Sequence, residues 1–320
     1  MIRYITVTVV AAVLSACSSA NNAANGIAAD ARAAADAPIE VDRDADEYWR
    51  DIAPEDLLII ELEWGNVVVE LAPWFAPRHV EQMRRLARSG YYNADASFYR
   101  VIDNFVAQGG VMRNSDDSDD SSDRDAAKDA EEVTRAPTLA AEFERPLGDL
   151  PFVRNNSPDL YAPQTGHIRG FAAGYDPATG NTWLLHCYGV MAMARSADPN
   201  TGSSHFYIVN GRDQRYLDRN LTVFGRVVAG MDVLQKVTRG DRAIGNGVIP
   251  NPADRTPILG MTVASELPDS QRPHLQVMKS DSPAFAAAKA DKFYSDSDFF
   301  SIKPKAVEAC QVTGPVRTRP

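Results

Sequence analysis

The chain has 320 residues, of which 44% are hydrophobic and 24% charged, the make-up of a globular protein with one large or two small domains. Its formal net charge is -10, and no long run of Lys or Arg could track a phosphate backbone, which argues against nucleic acid as a partner.

Residues 1–17 carry one positive charge at Arg3, an apolar run over 5–14 and then small residues, the layout of a secretory signal. The run is too short to span a bilayer. Leu14, Ser15, Ala16 and Cys17 resemble the lipobox of bacterial lipoproteins. That resemblance implies removal of residues 1–16 as a signal peptide, acyl chains on Cys17, and a protein anchored to a membrane of the cell envelope, facing the periplasm. Residues 17–55 then read as a lipidated N-terminus and tether, rich at first in Ala, Asn and Ser without an amphipathic period. Such a compartment permits disulfides, so Cys187 and Cys310 either pair or remain two buried thiols; sequence does not fix the distance between their Cα atoms.

The pattern changes at residue 57. Residues 57–63 and 67–71 alternate as a β-hairpin with its turn at Gly65 and Asn66. Val80, Met83, Leu86 and Ala87 recur at helical spacing between Pro77 and Gly90, which predicts a helix over 76–89. Short strand-like runs follow at 98–102, 105–108, 190–194, 206–209, 222–228 and 258–264, and a second helix at 231–237. Many short strands with two helices predict a mainly β fold, a closed eight-stranded antiparallel barrel capped by the helices. Two insertions interrupt it, near 113–137 and 148–186, and both read as long surface loops. The Asp- and Ser-rich stretch at 115–132 lacks the glycine and regular carboxylate spacing of a Ca²⁺ loop, so it reads as solvated and mobile. The second insertion carries Phe152, Tyr161, Phe171, Tyr175 and Trp183, which predicts that it packs on the barrel. Residues 268–320, with a short helix near 283–292, read as an extension wrapping the barrel.

Two segments resemble the signature of the cyclophilins. The first runs from Phe98 through Arg100, Phe105 and Val106 to Gln108, Gly109 and Gly110. The second runs from Met191 through Ala194 and Arg195, then Ser203, Ser204, His205, Phe206 and Tyr207, to Tyr216, Leu217, Asp218 and residues 222–227. The resemblance covers residues 56–267 apart from the insertions. It implies peptidyl-prolyl cis-trans isomerisation of proline-containing, unfolded or extended polypeptides, without cofactor or metal, by a chain acting as a monomer. Arg100, Phe105 and Gln108 then match the catalytic positions. Val106, Ala194, Arg195, His205, Tyr207, Tyr216, Leu217 and Leu221 match positions that hold the peptide, with Phe105, Val106, Tyr207 and Leu221 forming an apolar cup for the proline ring.

Several positions depart from the better-known members. His205 stands where Gln is usual, Arg195 for Asn, Tyr216 for Trp, Leu221 for His, and Val111 for Asp. An imidazole cannot offer an amide's paired donor and acceptor, so support of Arg100 or the substrate from position 205 is weakened. A catalytically weak proline-peptide-binding chaperone or scaffold is therefore the alternative to the enzyme. A hydrolase built on Ser203, Ser204 and His205 is disfavoured, because no nucleophile elbow or orienting acid accompanies them. His186 and Cys187 lack the further spaced ligands of a metal site.

Overall fold

The computed structural model describes residues 41–112, 136–293, 301–302 and 306–319. Residues 1–16, which read as a signal peptide, Cys17 and the acidic stretch at 115–132 lie outside them. Described residues from Asp42 onward belong to one folded unit. Its strands begin with β1 (Trp49–Asp51), β2 (Leu57–Leu62), β3 (Gly65–Leu71), β4 (Ala96–Val101) and β5 (Val106–Val111). Just before the second insertion comes β6 (Arg145–Pro146), and the insertion itself supplies β7 (Val153–Asn155), β8 (Gln164–Ile168), β9 (Phe171–Asp176) and β10 (Asn181–Leu184). There follow β11 (Val190–Met193), β12 (Phe206–Val209), β13 (Val223–Ala229), β14 (Thr256–Pro257), β15 (Gly260–Val263), β16 (Leu275–Met278) and β17 (Val316–Thr318).

The main sheet has nine strands in the order β14-β4-β5-β12-β11-β13-β3-β2-β15, all antiparallel. Its two edges, β14 and β15, are successive parts of one chain run. Ile258 N–H donates to Ala96 O of β4 at 2.9 Å and Leu259 N–H donates to Glu61 O of β2 at 2.9 Å, so this run links both edges of a curled sheet. In the hairpin of β2 and β3, Leu58, Ile60, Leu62, Val67, Val69 and Leu71 alternate onto the main core. The intervening Leu57, Ile59 and Val68 are buried in a second cluster with Leu275 and Val277 of β16. The turn is Glu63 and Trp64, two residues earlier than expected, because Leu62 pairs with Gly65.

Helix α1 (Pro77–Arg88) starts on proline and turns its Val80, Met83, Leu86 and Ala87 stripe into the main core, as its spacing predicts. The second helix is shorter than expected. α2 (Met231–Leu234) makes one turn, after which Lys236 and Val237 bond to carbonyls three residues back and the helix tightens out of α geometry.

The stretch read as a loop at 148–186 is instead most of a five-stranded antiparallel sheet, β6-β10-β9-β8-β7. Phe171 and Trp183 are buried in the main core, with Phe152 partly buried against it. Trp183 faces Gly174 across β10 and β9, and a Cβ at 174 would fall 2.3 Å from the indole, so this strand glycine serves close packing. The stretch read as tether is also folded at its C-terminal end. β1 pairs with β16, and β16 pairs with β17, so residues 49–51 and the C-terminal extension share a three-stranded sheet. The extension also carries α3 (Pro283–Phe293) and is joined to the barrel by a Cys187–Cys310 disulfide with Cα atoms 5.2 Å apart.

Candidate active site

Strand pairing brings the site together. Arg100 of β4 lies opposite Gln108 of β5, Gln108 opposite Tyr207 of β12, and Tyr207 opposite Ala192 of β11. Directly opposed residues share a face, so Arg100, Gln108 and Tyr207 form a row across three strands, with Val106 two residues along on the same face. Between Phe98 and Arg100 the register shifts, because Tyr99 is an extra residue in β4. A bulge of this kind lets Tyr99 reach the side on which Arg100 stands, against strict alternation.

The consequence is a directed chain of hydrogen bonds. Arg100 Nη1 donates to Gln108 Oε1 at 3.2 Å, Gln108 Nε2 donates to the Tyr99 hydroxyl at 2.6 Å, and that hydroxyl lies 3.0 Å from His205 Nδ1. A guanidinium can only donate, which fixes the amide orientation of Gln108 and leaves the Tyr99 hydrogen for His205. Arg100 Nε donates to Asn246 O at 2.9 Å, and its Cζ sits 5.5 Å from the centre of the Phe105 ring. Three separate elements therefore hold the guanidinium in place. Burial pushes the Tyr99 hydroxyl up to about 12, so it stays protonated; burial also lowers Arg100 from its ordinary value, though a guanidinium remains charged. His205 enters this chain through the Tyr99 hydroxyl, one step removed from Gln108 and two from Arg100. Gly110 makes room for the imidazole, since a Cβ there would fall 2.6 Å from His205 Nδ1.

The cup residues show graded burial. Val106 and Tyr207 are 2% and 4% exposed, while Phe105 and Leu221 are half-buried against the same core. The Tyr207 ring stacks on His186, with the His186 Nε2 to Tyr207 hydroxyl distance 2.9 Å, and Asp218 Oδ1 is 3.1 Å from His186 Nδ1. The carboxylate can only accept, so Nδ1–H donates to Asp218, and Nε2 shares the second hydrogen bond with the phenol. His186 thus fixes the Tyr207 ring. Asp213 lies near Cys187 and Cys310, but their sulfurs are committed to the disulfide.

The remaining expected residues are spread more widely. Ala194 N–H donates to His205 O at 2.9 Å, continuing the pairing of β11 with β12. The Arg195 guanidinium turns to the carbonyls of Asn220, Ser196 and Ala197 and lies over Phe143. Tyr216 and Leu217 sit in a short 3₁₀ turn, Arg215–Leu217, with Tyr216 exposed. Tyr99, Asn246, His186 and Asp218 were not among the expected site residues. Tyr99 and Asp218 lie inside the two recognised segments, whereas Asn246 contributes only a backbone carbonyl and leaves no mark in side-chain pattern.

Comparison with known proteins gives this geometry its context. Residues 57–263 match the family model described as cyclophilin type peptidyl-prolyl cis-trans isomerase/CLD. A probable peptidyl-prolyl cis-trans isomerase of Brucella suis is 34% identical over 201 residues, 62% of this chain and 79% of that protein. A peptidyl-prolyl cis-trans isomerase of Acinetobacter baylyi is 25% identical over 178 residues, 54% of this chain and 66% of that one. The crystal structure of the cyclophilin AquaCyp293 from Hirschia baltica superposes with a TM-score of 0.62 at 27% identity, covering 85% of this chain and 94% of that one. The fold, the two matched segments and these relatives agree, and the chain belongs to the cyclophilin-type peptidyl-prolyl cis-trans isomerases.

Proposed function

We propose that Arg100 drives the isomerisation by stabilising the twisted amide, and that the protein does so for exported or envelope polypeptides from a lipid anchor at Cys17. The bond before proline rotates in tens to hundreds of seconds unaided because resonance must be broken. As it twists, the proline nitrogen pyramidalises and regains a lone pair, so a donor aimed there binds the transition state better than either planar isomer. The observation that carries the reading is the fixing of Arg100 by Gln108, Asn246 and the Phe105 ring. These contacts use Nε and Nη1; among the described residues Nη2 makes no hydrogen bond and remains for the substrate. No covalent intermediate is required. The Cys187–Cys310 disulfide and the Leu14 to Cys17 pattern support an oxidising, envelope location.

The test is exchange NMR on a short X-Pro peptide. Arg100→Ala is expected to lower turnover about a hundredfold with little change in peptide affinity, because the contact is made in the transition state. Phe105→Ala is expected to weaken affinity as well, since the cup holds the ring in every state. If wild type and Arg100→Ala accelerate exchange equally, or neither does while the peptide still binds, the chain is a proline-peptide-binding scaffold instead.

A further inference from the structure

Where the inserted segment meets the Arg215–Leu217 turn lies an open pocket of about 530 Å³, with Phe143, Tyr161 and Tyr216 among its walls. Its charged lining residues are paired with one another or with close neighbours. Arg215 holds Asp159 at 2.7 and 3.0 Å and Asp218 at 2.6 Å, and Arg219 Nε donates to Glu144 at 2.7 Å. A charged guest would therefore meet both signs at once. Two of the aromatics still present much of their surface to solvent: Tyr161, with the Arg215 guanidinium 5.5 Å from its ring centre, is 53% exposed, Tyr216 is 57% exposed, and Leu160 beside Tyr161 is 96% exposed. Soluble proteins seldom leave grouped apolar side chains uncovered without a partner.

The pocket is continuous with the candidate peptide site by three routes. Tyr216 belongs to both. Asp218, in the pocket wall, anchors the His186 that fixes Tyr207. Phe143 lies 5.7 Å beneath the Arg195 guanidinium, which also bonds Asn220 O in the same wall.

We propose that this pocket is a second contact point on the client polypeptide, taking a large apolar or aromatic side chain from the segment flanking the proline held in the cup. The proposal rests on the peptide site assigned above. It makes the loops around the inserted sheet a determinant of substrate choice, because Phe143 and Glu144 immediately precede β6 and Tyr161 lies between β7 and β8. A ring entering between Tyr161 and Tyr216 gains edge and face contacts with two aromatics already ordered in the fold.

The experiment uses the full chain, a short Ala-Pro peptide, and longer peptides in which one Phe is moved stepwise away from the proline on either side. Exchange NMR gives the rates, and the aromatic resonances of Tyr161 report occupancy. One Phe position is expected to lower KM about fivefold with kcat unchanged. Tyr161→Ala should remove that gain and leave the short peptide's kinetics as in wild type, whereas Tyr161→Phe should keep it. No gain at any Phe position, or a gain that survives Tyr161→Ala, overturns the proposal. So do Tyr161 shifts that depend on protein concentration with no peptide added, which would mean that a second copy fills the pocket. Phe-dependent binding without acceleration of any peptide would sink the isomerase mechanism and still support the pocket.

Discussion

At the scale of single residues, the orientation of Arg100 depends on Gln108, and Gln108 depends on Tyr99. Tyr99→Phe removes the hydroxyl that accepts from Gln108 Nε2 and faces His205, with the ring retained. The amide is then free to turn, and a turned amide would face the guanidinium with its own N–H groups. We expect turnover to fall about tenfold, the worth of one misplaced hydrogen bond and milder than the loss of Arg100, with peptide affinity preserved. Steady-state rates on one short X-Pro peptide, with titration of the same peptide, would show it; an unchanged kcat would mean that Asn246 O and the Phe105 ring hold Arg100 unaided. This dependence also shows where sequence reading stops. Arg100, Phe105 and Gln108 were legible because their side-chain types and spacing make up the recognised segment. Strict alternation, however, places Tyr99 on the opposite face from Arg100. Only the bulge reverses that, and a bulge has no compositional mark.

At the scale of elements, the inserted sheet binds the C-terminal extension through buried polar contacts. His167 of β8 sits beside Phe285 of α3 and its Nε2 lies 3.0 Å from Ala309 O, so the ring donates there as a neutral imidazole. Burial pulls its pKa down to about 4 from 6.5. Between those values the unfolded chain binds the proton and the folded one does not, so this contribution is fully present above pH 6.5 and is lost as pH falls towards 4. Urea midpoints should drop by the equivalent of about 2 kcal/mol from pH 7 to pH 5 on this account, and His167→Gln, which keeps a donor but does not titrate, should flatten the slope. An equal slope in the variant would assign it to other groups. Next to Ala309, Cys310 closes a loop of 123 residues with Cys187, and Cys310→Ser is expected to cost about 4 kcal/mol. Protease cleavage of the extension before the barrel would confirm that the bond pins it; simultaneous loss of both would show a single cooperative unit. The insertion was misread as a loop because its strands are only three to six residues long and two of its glycines, Gly166 and Gly174, lie inside them. Gly166 and Gly174 are there because Val153 O, Phe152 and Trp183 approach their Cα atoms, and in sequence such glycines look like turns. The aromatic residues were the better guide, since Phe171 and Trp183 needed a core to enter.

At the scale of the whole molecule, Glu70 and Arg226, partners across β3 and β13, form a buried ion pair at the junction of all three parts of the fold. Arg226 also donates to Gly314 O of the extension at 3.1 Å and lies over Phe171 of the inserted sheet, while Arg50 of β1 reaches Glu70 from outside. Both ends of the described chain are thus tied to the barrel, and the site residues from Tyr99 to Asn246 all lie within it. Among the described residues no helix is long and apolar enough to cross a membrane, and the anchor proposed here is the acylated Cys17 of the lipobox-like segment. Acyl chains contribute about 0.8 kcal/mol for each buried CH₂, and more than one chain gives stable anchoring that salt does not reverse. Wild type should therefore stay in the membrane fraction through high salt and enter the detergent phase, whereas Cys17→Ser should become soluble or retain its signal unprocessed. Because the active-site contacts are internal to the folded unit, soluble Cys17→Ser should isomerise a short peptide as fast as the anchored form. The N-terminal peptide decides the matter by mass spectrometry: a mature chain beginning at an acylated Cys17 supports the anchor, and one that begins further along with no modification rules it out.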